Sequence, residues 1–253
     1  VTSVYFFLGL AGLFLGGHWL VQGATGLAQA FRVPPLVIGL TIVGFGTSTP
    51  ELLVSIDAAW RGFGGIAIGN VLGSNIGNVL LILGISALLG AIHAEFGKLK
   101  PDLLWMMGAA LICVPMFWGG WLGRIEGLIL SAGIAVYILA ALRQAGSAAP
   151  SDVPPPPLQI SGAYITVGLV LLMVGARLLV DSATDIARAF GISEAVIGLT
   201  IVAIGTSLPE LATSLIAAWK GAREIALGNV IGSNIYNILG ILGLSALIAP
   251  IPV

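Results

Sequence analysis

One stretch of this chain occurs twice. Residues 39–89 open GLTIVGFGTSTPELLVSIDAAWRG and residues 198–248 open GLTIVAIGTSLPELATSLIAAWKG, at a constant offset of 159 with no gap. Of the 51 aligned pairs 33 are identical, and the identities include Gly, Pro, Glu, Asn and Trp as well as apolar residues. Shared greasiness does not produce matches of that kind. The offset continues weakly upstream, pairing Gly16 with Gly175, Ala24 with Ala183 and Phe31 with Phe190. The chain therefore carries two copies of one multi-helix unit, starting near residues 1 and 160.

Composition says where such a unit can live. Only 8% of the residues are charged and 58% are hydrophobic, with mean hydropathy +1.08, whereas a soluble domain carries about 25% charged residues. So few charges cannot wet the surface of a soluble fold, which excludes a water-soluble enzyme and a disordered chain. A net charge of -1 supplies no basic field for nucleic acid. The single cysteine, Cys113, excludes an internal disulfide framework and any Cys-rich metal site. The fold class expected is an all-α polytopic membrane protein whose partner is the lipid bilayer. A bilayer core of about 30 Å takes about 20 apolar residues per helix. Apolar runs at 4–29, 35–60, 65–90, 102–118, 124–142, 161–187, 195–219 and 224–249 give eight candidate spans. Between them the stretch QAGSAAPSDVPPPPLQ contains four consecutive prolines. It is a semi-rigid linker, assigned to 144–160, dividing a first repeat (1–143, about five spans) from a second (161–253, about three).

Five spans separate equivalent points of the two copies, and an odd number sends the second copy into the membrane from the opposite side. That is an inverted-topology repeat, an architecture of secondary transporters. Loop charge points the same way. Arg61, Arg124 and Arg188 fall on the side of the amino terminus; Arg32, Lys98, Lys100, Arg143, Lys220 and Arg223 fall on the other. The richer side faces the cytoplasm by the positive-inside rule. The expectation is an integral protein of the cell (inner) membrane with its amino terminus outside and its linker cytoplasmic.

The chemistry sits in the repeated motifs. Gly46-Thr47-Ser48-Thr49-Pro50-Glu51 lies in the second span and Gly205-Thr206-Ser207-Leu208-Pro209-Glu210 in the seventh. A proline inside an apolar run lacks an N–H and clashes with the carbonyl four residues back, so each helix breaks there. Within a membrane that is tolerated only where the freed backbone lines a cavity or meets another ligand. Thr47 and Glu51, at i and i+4, share a face. One carboxylate, neighbouring hydroxyls and free carbonyls then converge as an all-oxygen set suited to hard cations such as Ca²⁺ and Na⁺. The spans that follow carry Ser74 with Asn78 and Ser233 with Asn237, again at i, i+4, adding two oxygens to each face. Proline kinks and bridging Ser, Thr or Asn are often purely structural in membrane helices. Buried glutamate is not, because an unpaired carboxylate at the bilayer centre costs about 2.5–3.5 kcal/mol even on insertion scales. Glu51 and Glu210 incur that cost at repeat-equivalent positions, with no Arg or Lys in either run.

Other polar residues read as structural. Asp57, whose repeat partner is Ile216, is set to pair with Arg61 at i+4. Trp60 and Trp219 end their spans as aromatic-belt anchors. His18 is read as a helix-packing hydrogen-bonding group, and Asp181 and Asp185 as a solvated helix end.

The motif GTSxPE followed by GNxxGSNxxN, present twice in inverted halves, resembles the α-repeats of the calcium/cation antiporter superfamily, best known for sodium/calcium exchangers. The resemblance covers about 100 residues directly. It implies four central ion sites between spans two, three, seven and eight, and exchange of about three Na⁺ for one Ca²⁺ with the first and sixth spans sliding to alternate access. It makes Glu51 and Glu210 the main carboxylates. Thr47, Ser48, Thr206, Ser207, Ser74 and Ser233 supply hydroxyl or carbonyl oxygens, and the backbone carbonyls of Gly44 and Ala203 with the side chains of Asn78 and Asn237 complete the set. Some relatives, including potassium-dependent exchangers, carry Asp at the position of Asn237; a neutral residue there argues against a K⁺ requirement. The family commonly has ten spans. Counterparts of spans four and five fall near 261–301, beyond Val253, so the second repeat is expected to be truncated or the chain an eight-span variant.

Function is thus expected to be antiport of Na⁺ and Ca²⁺, the transported ions, with no cofactor. Ca²⁺/H⁺ exchange is the alternative, since carboxylates also take protons, and a passive cation channel is a weaker one. A membrane enzyme is disfavoured: neither HExxH nor GxSxG occurs, and His18 and His93 are the only imidazoles.

Overall fold

The computed structural model describes residues 2–89, 96–144, 156–193, 197, 200–201 and 203–253. Its helices are α1 (Thr2–Phe31), α2 (Pro35–Thr47), α3 (Thr49–Trp60), α4 (Gly64–Leu88), α5 (Phe96–Phe117), α6 (Arg124–Gln144), α7 (Leu158–Ala189), α8 (Leu208–Trp219) and α9 (Arg223–Ile248). A two-residue antiparallel pair, Trp121–Leu122 with Ile251–Pro252, ties the α5–α6 turn to the end of the chain. Among the described residues six helices (α1, α4, α5, α6, α7 and α9) are each long and apolar enough to cross a membrane. α2 and α3 together make a seventh span, bent by 46°. The eighth expected run, 195–219, lies partly outside the described residues; what is described there is the turn Ala203–Gly205 and α8. Most of the linker and His93 also fall outside them.

Several helices overrun the apolar stretches that announce them. α5 begins at Phe96 rather than near 102, and α7 at Leu158 rather than near 161. Hydropathy marks only the hydrocarbon crossing, while backbone hydrogen bonding continues into the headgroup layer, where Lys98 and Lys100 are at home.

α1 and α7 form a long antiparallel pair packed through glycines. A Cβ on Gly9 would lie 2.8 Å from the Gly175 carbonyl, one on Gly16 2.8 Å from the Gly168 carbonyl, and one on Gly23 2.7 Å from the Ser161 carbonyl. Only a missing side chain lets backbones approach so closely. Gly9 and Gly168 are repeat equivalents, as are Gly16 and Gly175. The two contacts exchange under the repeat relation, which is the inversion read from span parity.

α9 runs through the middle of the bundle. Its Gly228 and Gly232 sit against the backbone of α2, at Leu36 and Leu40, and its Gly243 against Ser131 of α6. About 83% of its apolar stretch is buried inside the protein, against 28% for its repeat counterpart α4. Gly84, the counterpart of Gly243, has no neighbour among the described residues where a Cβ would stand.

Among the described residues, π-helical turns interrupt α2 at Gly39–Val43, α4 at Asn78–Ile82 and α9 at Tyr236–Leu242. Each rotates the residues beyond it relative to an α-helical register, a device concentrated at functional sites. An inserted wide turn leaves no compositional mark in the sequence.

Candidate cation-binding site

The proline motifs break their helices as expected. Ser48 (φ -81°, ψ 7°) separates α2 from α3, and Ser207 (φ -89°, ψ 7°) precedes α8 in the same conformation. Glu51 and Glu210 follow in the first turn of the new helix, at its positive end. Both are about 1% exposed, near the centre of the bundle.

The two breaks reach across to each other. Ser48 Oγ donates to Glu210 Oε1 at 2.9 Å, and Ser207 Oγ donates to Glu51 Oε1 at 3.0 Å. Ser74 Oγ lies 3.3 Å from Ser207 Oγ, and Ser233 Oγ lies 3.5 Å from the Gly44 carbonyl. Each carboxylate is therefore held by a hydroxyl from the opposite repeat. The other oxygen of each, Glu51 Oε2 and Glu210 Oε2, is buried with no hydrogen-bond partner among the described residues. So are Asn78 Oδ1 and Asn237 Oδ1. These four atoms only accept hydrogen bonds, and they form two repeat-equivalent pairs. Burying an acceptor without a donor costs about 1–3 kcal/mol, more when it is charged. All four are acceptors that no donor among the described residues reaches. The salt bridges among the described residues (Arg61–Asp57, Arg177–Asp181 and Arg188–Asp185) involve neither glutamate.

Thr47 and Thr206 each reach an asparagine of the other repeat. Thr47 Oγ1 lies 3.0 Å from Asn229 Oδ1 and 3.1 Å from the Val43 carbonyl, both acceptors for its one proton. Thr206 Oγ1 lies 3.5 Å from Asn70 Oδ1. Gly44 brings its carbonyl to Ser233 as noted, and Ala203 opens the short turn before Gly205.

Residues that the motif reading quoted without a role turn out to brace the site. Asn70 Nδ2 donates to the Glu51 carbonyl at 3.1 Å and to Ser55 Oγ at 2.9 Å. Asn229 Nδ2 does the same in the other repeat, to the Glu210 carbonyl at 3.3 Å and Ser214 Oγ at 2.9 Å. These pairs pin each broken helix to the helix after it. One signal was available: all four residues are identical across the repeat. Asn75 and Asn234 lie between α4 and α9. Asn75 Nδ2 donates to the Asn234 carbonyl at 3.2 Å, Asn78 Nδ2 to Asn234 Oδ1 at 3.0 Å and Asn237 Nδ2 to Asn75 Oδ1 at 2.9 Å. Asn234 Nδ2 lies 3.6 Å from the Met106 sulfur of α5.

The outlying polar residues lie away from the glutamates. Arg61 pairs with Asp57 at 2.9 Å on the exposed surface. Asp181 and Asp185 face Arg177 and Arg188 at 3.8 and 3.7 Å with all four side chains largely exposed, so these pairs contribute little. Trp60 and Trp219 are exposed at their helix ends. At His18 it is the backbone carbonyl, receiving Lys220 Nζ at 3.2 Å, that makes the interhelical bond.

An integral membrane protein built from two inverted repeats, with helices broken around a pair of buried carboxylates, has the architecture of a secondary cation transporter. The sequence pattern of the sodium/calcium exchanger protein family matches residues 1–143 and 160–253, and the chain belongs to that family. It is 40% identical to the putative antiporter CaxA of Alkalimonas amylolytica over 99% of this chain and 82% of that protein. It is 36% identical to the sodium/calcium exchanger MaX1 of Methanosarcina acetivorans over 100% of this chain and 85% of that protein. A solved structure of the sodium-calcium exchanger NCX_Mj superposes with TM-score 0.89 at 39% identity, covering 99% of this chain and 83% of that one.

Proposed function

We propose that this chain is an antiporter that exchanges Na⁺ for Ca²⁺ by alternating access, both ions competing for the site framed by Glu51 and Glu210. The observation that carries this reading is the set of four buried, unpartnered acceptor oxygens on Glu51, Glu210, Asn78 and Asn237. Two carboxylates give about -2 in a site of low dielectric, which one Ca²⁺ or two Na⁺ balance, so occupancy by one excludes the other. A third Na⁺ takes neutral oxygens, and net charge then moves in each cycle. Ser48, Ser207, Ser74 and Ser233 supply hydroxyl oxygens close to the carboxylates. Thr47 and Thr206, with the carbonyls of Gly44 and Ala203, supply further oxygens. Residues 1–143 and 161–253 each supply one half of the site, joined by the linker at 144–160, and the first and sixth spans, α1 and α7, slide to alternate access. The loop charges favour a cell (inner) membrane orientation with the amino terminus outside and the linker cytoplasmic.

The test is calorimetric titration of the purified chain with Ca²⁺ at rising Na⁺. Saturable Ca²⁺ binding that Na⁺ weakens is expected. Ca²⁺ binding that Na⁺ leaves unchanged would refute competition for one site.

A further inference from the structure

An asparagine side chain can turn either its oxygen or its NH₂ toward a cation. Only the oxygen is a ligand; the amide hydrogens repel positive charge. At Asn78 and Asn237 the oxygens are the atoms left unpartnered, and something must hold them that way round.

The bonds between α4 and α9 supply the reason. The Asn234 backbone carbonyl accepts hydrogen bonds and cannot donate, so the group of Asn75 that meets it at 3.2 Å is Nδ2. That turns Asn75 Oδ1 toward Asn237, where it accepts from Nδ2 at 2.9 Å. With its nitrogen engaged, Asn237 has its oxygen left for the site. The second chain starts at another group without a proton, the Met106 sulfur. Asn234 Nδ2 lies 3.6 Å from it, so Asn234 Oδ1 faces Asn78 and accepts its Nδ2 at 3.0 Å. Asn78 Oδ1 is left for the site in turn. Each chain of bonds runs from an acceptor-only anchor, through one amide, to the amide at the site.

We infer that Asn75 and Asn234 are positioning residues that fix the amide orientation of Asn237 and Asn78, and that Met106 anchors one of the two chains. This rests on the cation site proposed above and deepens it. The anchors differ between the repeats: a carbonyl serves the Asn237 arm and a thioether, the weaker acceptor, serves the Asn78 arm. The Asn78 oxygen is therefore the less firmly held of the two. Met106 belongs to α5.

Carboxylates separate orientation from mere packing, because an aspartate presents oxygen whichever way it turns. The experiment measures Ca²⁺ affinity by calorimetry for Asn75→Leu, Asn237→Asp and the double variant. Loss of a group that orients a metal ligand typically costs about 10–100-fold in affinity. Asn75→Leu is expected to show a loss in that range relative to the unaltered chain. The same change made in the Asn237→Asp background is expected to cost less than about threefold. An equal loss in both backgrounds, or no loss in either, overturns the inference. Met106→Leu conserves volume and leaves the fold intact. It is expected to weaken Ca²⁺ binding about threefold, less than Asn75→Leu, and to have no effect once Asn78 is Asp. A Met106→Leu loss that persists with Asn78→Asp overturns the anchor role. Ca²⁺ binding that Na⁺ does not displace would refute the exchange reading while leaving this comparison, made with Ca²⁺ alone, intact.

Discussion

Glu51 and Glu210 each keep one oxygen on a serine of the opposite repeat and one oxygen free of any partner among the described residues. Glu51→Gln or Glu210→Gln preserves shape but removes half the site's charge. Hydrogen-bonded or charged contacts of this kind are worth about 1.5–3 kcal/mol, so each variant is expected to bind Ca²⁺ at least about tenfold more weakly while melting as a folded protein. Titration calorimetry beside a thermal melt checks both halves. Protons and Ca²⁺ compete for the same oxygens. A proton added at low pH cancels the charge Ca²⁺ needs, so affinity should fall as pH is lowered from 8 to 5 and recover on return; a flat profile would remove the carboxylates from the ligand set. These residues were legible in the sequence because a charge in an apolar run has few explanations and here it occurs twice. The braces Asn70, Asn229, Ser55 and Ser214 were not given a role. A buried polar residue that holds a helix and one that holds an ion look alike until the distances are known.

Among the elements, the broken helices were legible and the π turns were not. Proline dictates a break by covalent structure, so the bend between α2 and α3 follows from Pro50 alone. The wide turns at Asn78–Ile82 and Tyr236–Leu242 contain no proline or other residue that fixes the backbone to announce them. The α1–α7 crossing was not legible: the sequence pairs Gly16 with Gly175 as repeat equivalents, whereas in the fold Gly16 meets Gly168 and Gly175 meets Gly9. Its consequence is sharp: a methyl on Gly16 would stand 2.7 Å from the Leu172 nitrogen. Gly16→Ala should force the helices apart and cost about 1–3 kcal/mol, seen as a lower melting midpoint in detergent. Gly84→Ala, on the open face of α4, should change stability by no more than about 0.5 kcal/mol. Equal destabilisation by the two would mean that the α1–α7 backbone contact is not what the glycines serve.

At the scale of the molecule, inversion was legible from span parity, because topology follows from counting. The unequal covering of α4 and α9 was not, since the two helices carry nearly the same sequence; what differs is whether α5 and α6 pack on them. Inversion predicts that Arg61→Cys and Lys220→Cys, each in a Cys113→Ala background, react with an impermeant thiol reagent from opposite sides of an oriented membrane. Reaction from the same side would contradict it.

The central claim is that Na⁺ and Ca²⁺ move in opposite directions through one site, and ⁴⁵Ca²⁺ uptake into proteoliposomes tests it most directly. Vesicles loaded with Na⁺ and diluted into Na⁺-free medium should accumulate Ca²⁺, and vesicles with equal Na⁺ on both sides should not. Accumulation that ignores the Na⁺ gradient but follows an imposed pH gradient would contradict the account and make the protein a Ca²⁺/H⁺ exchanger.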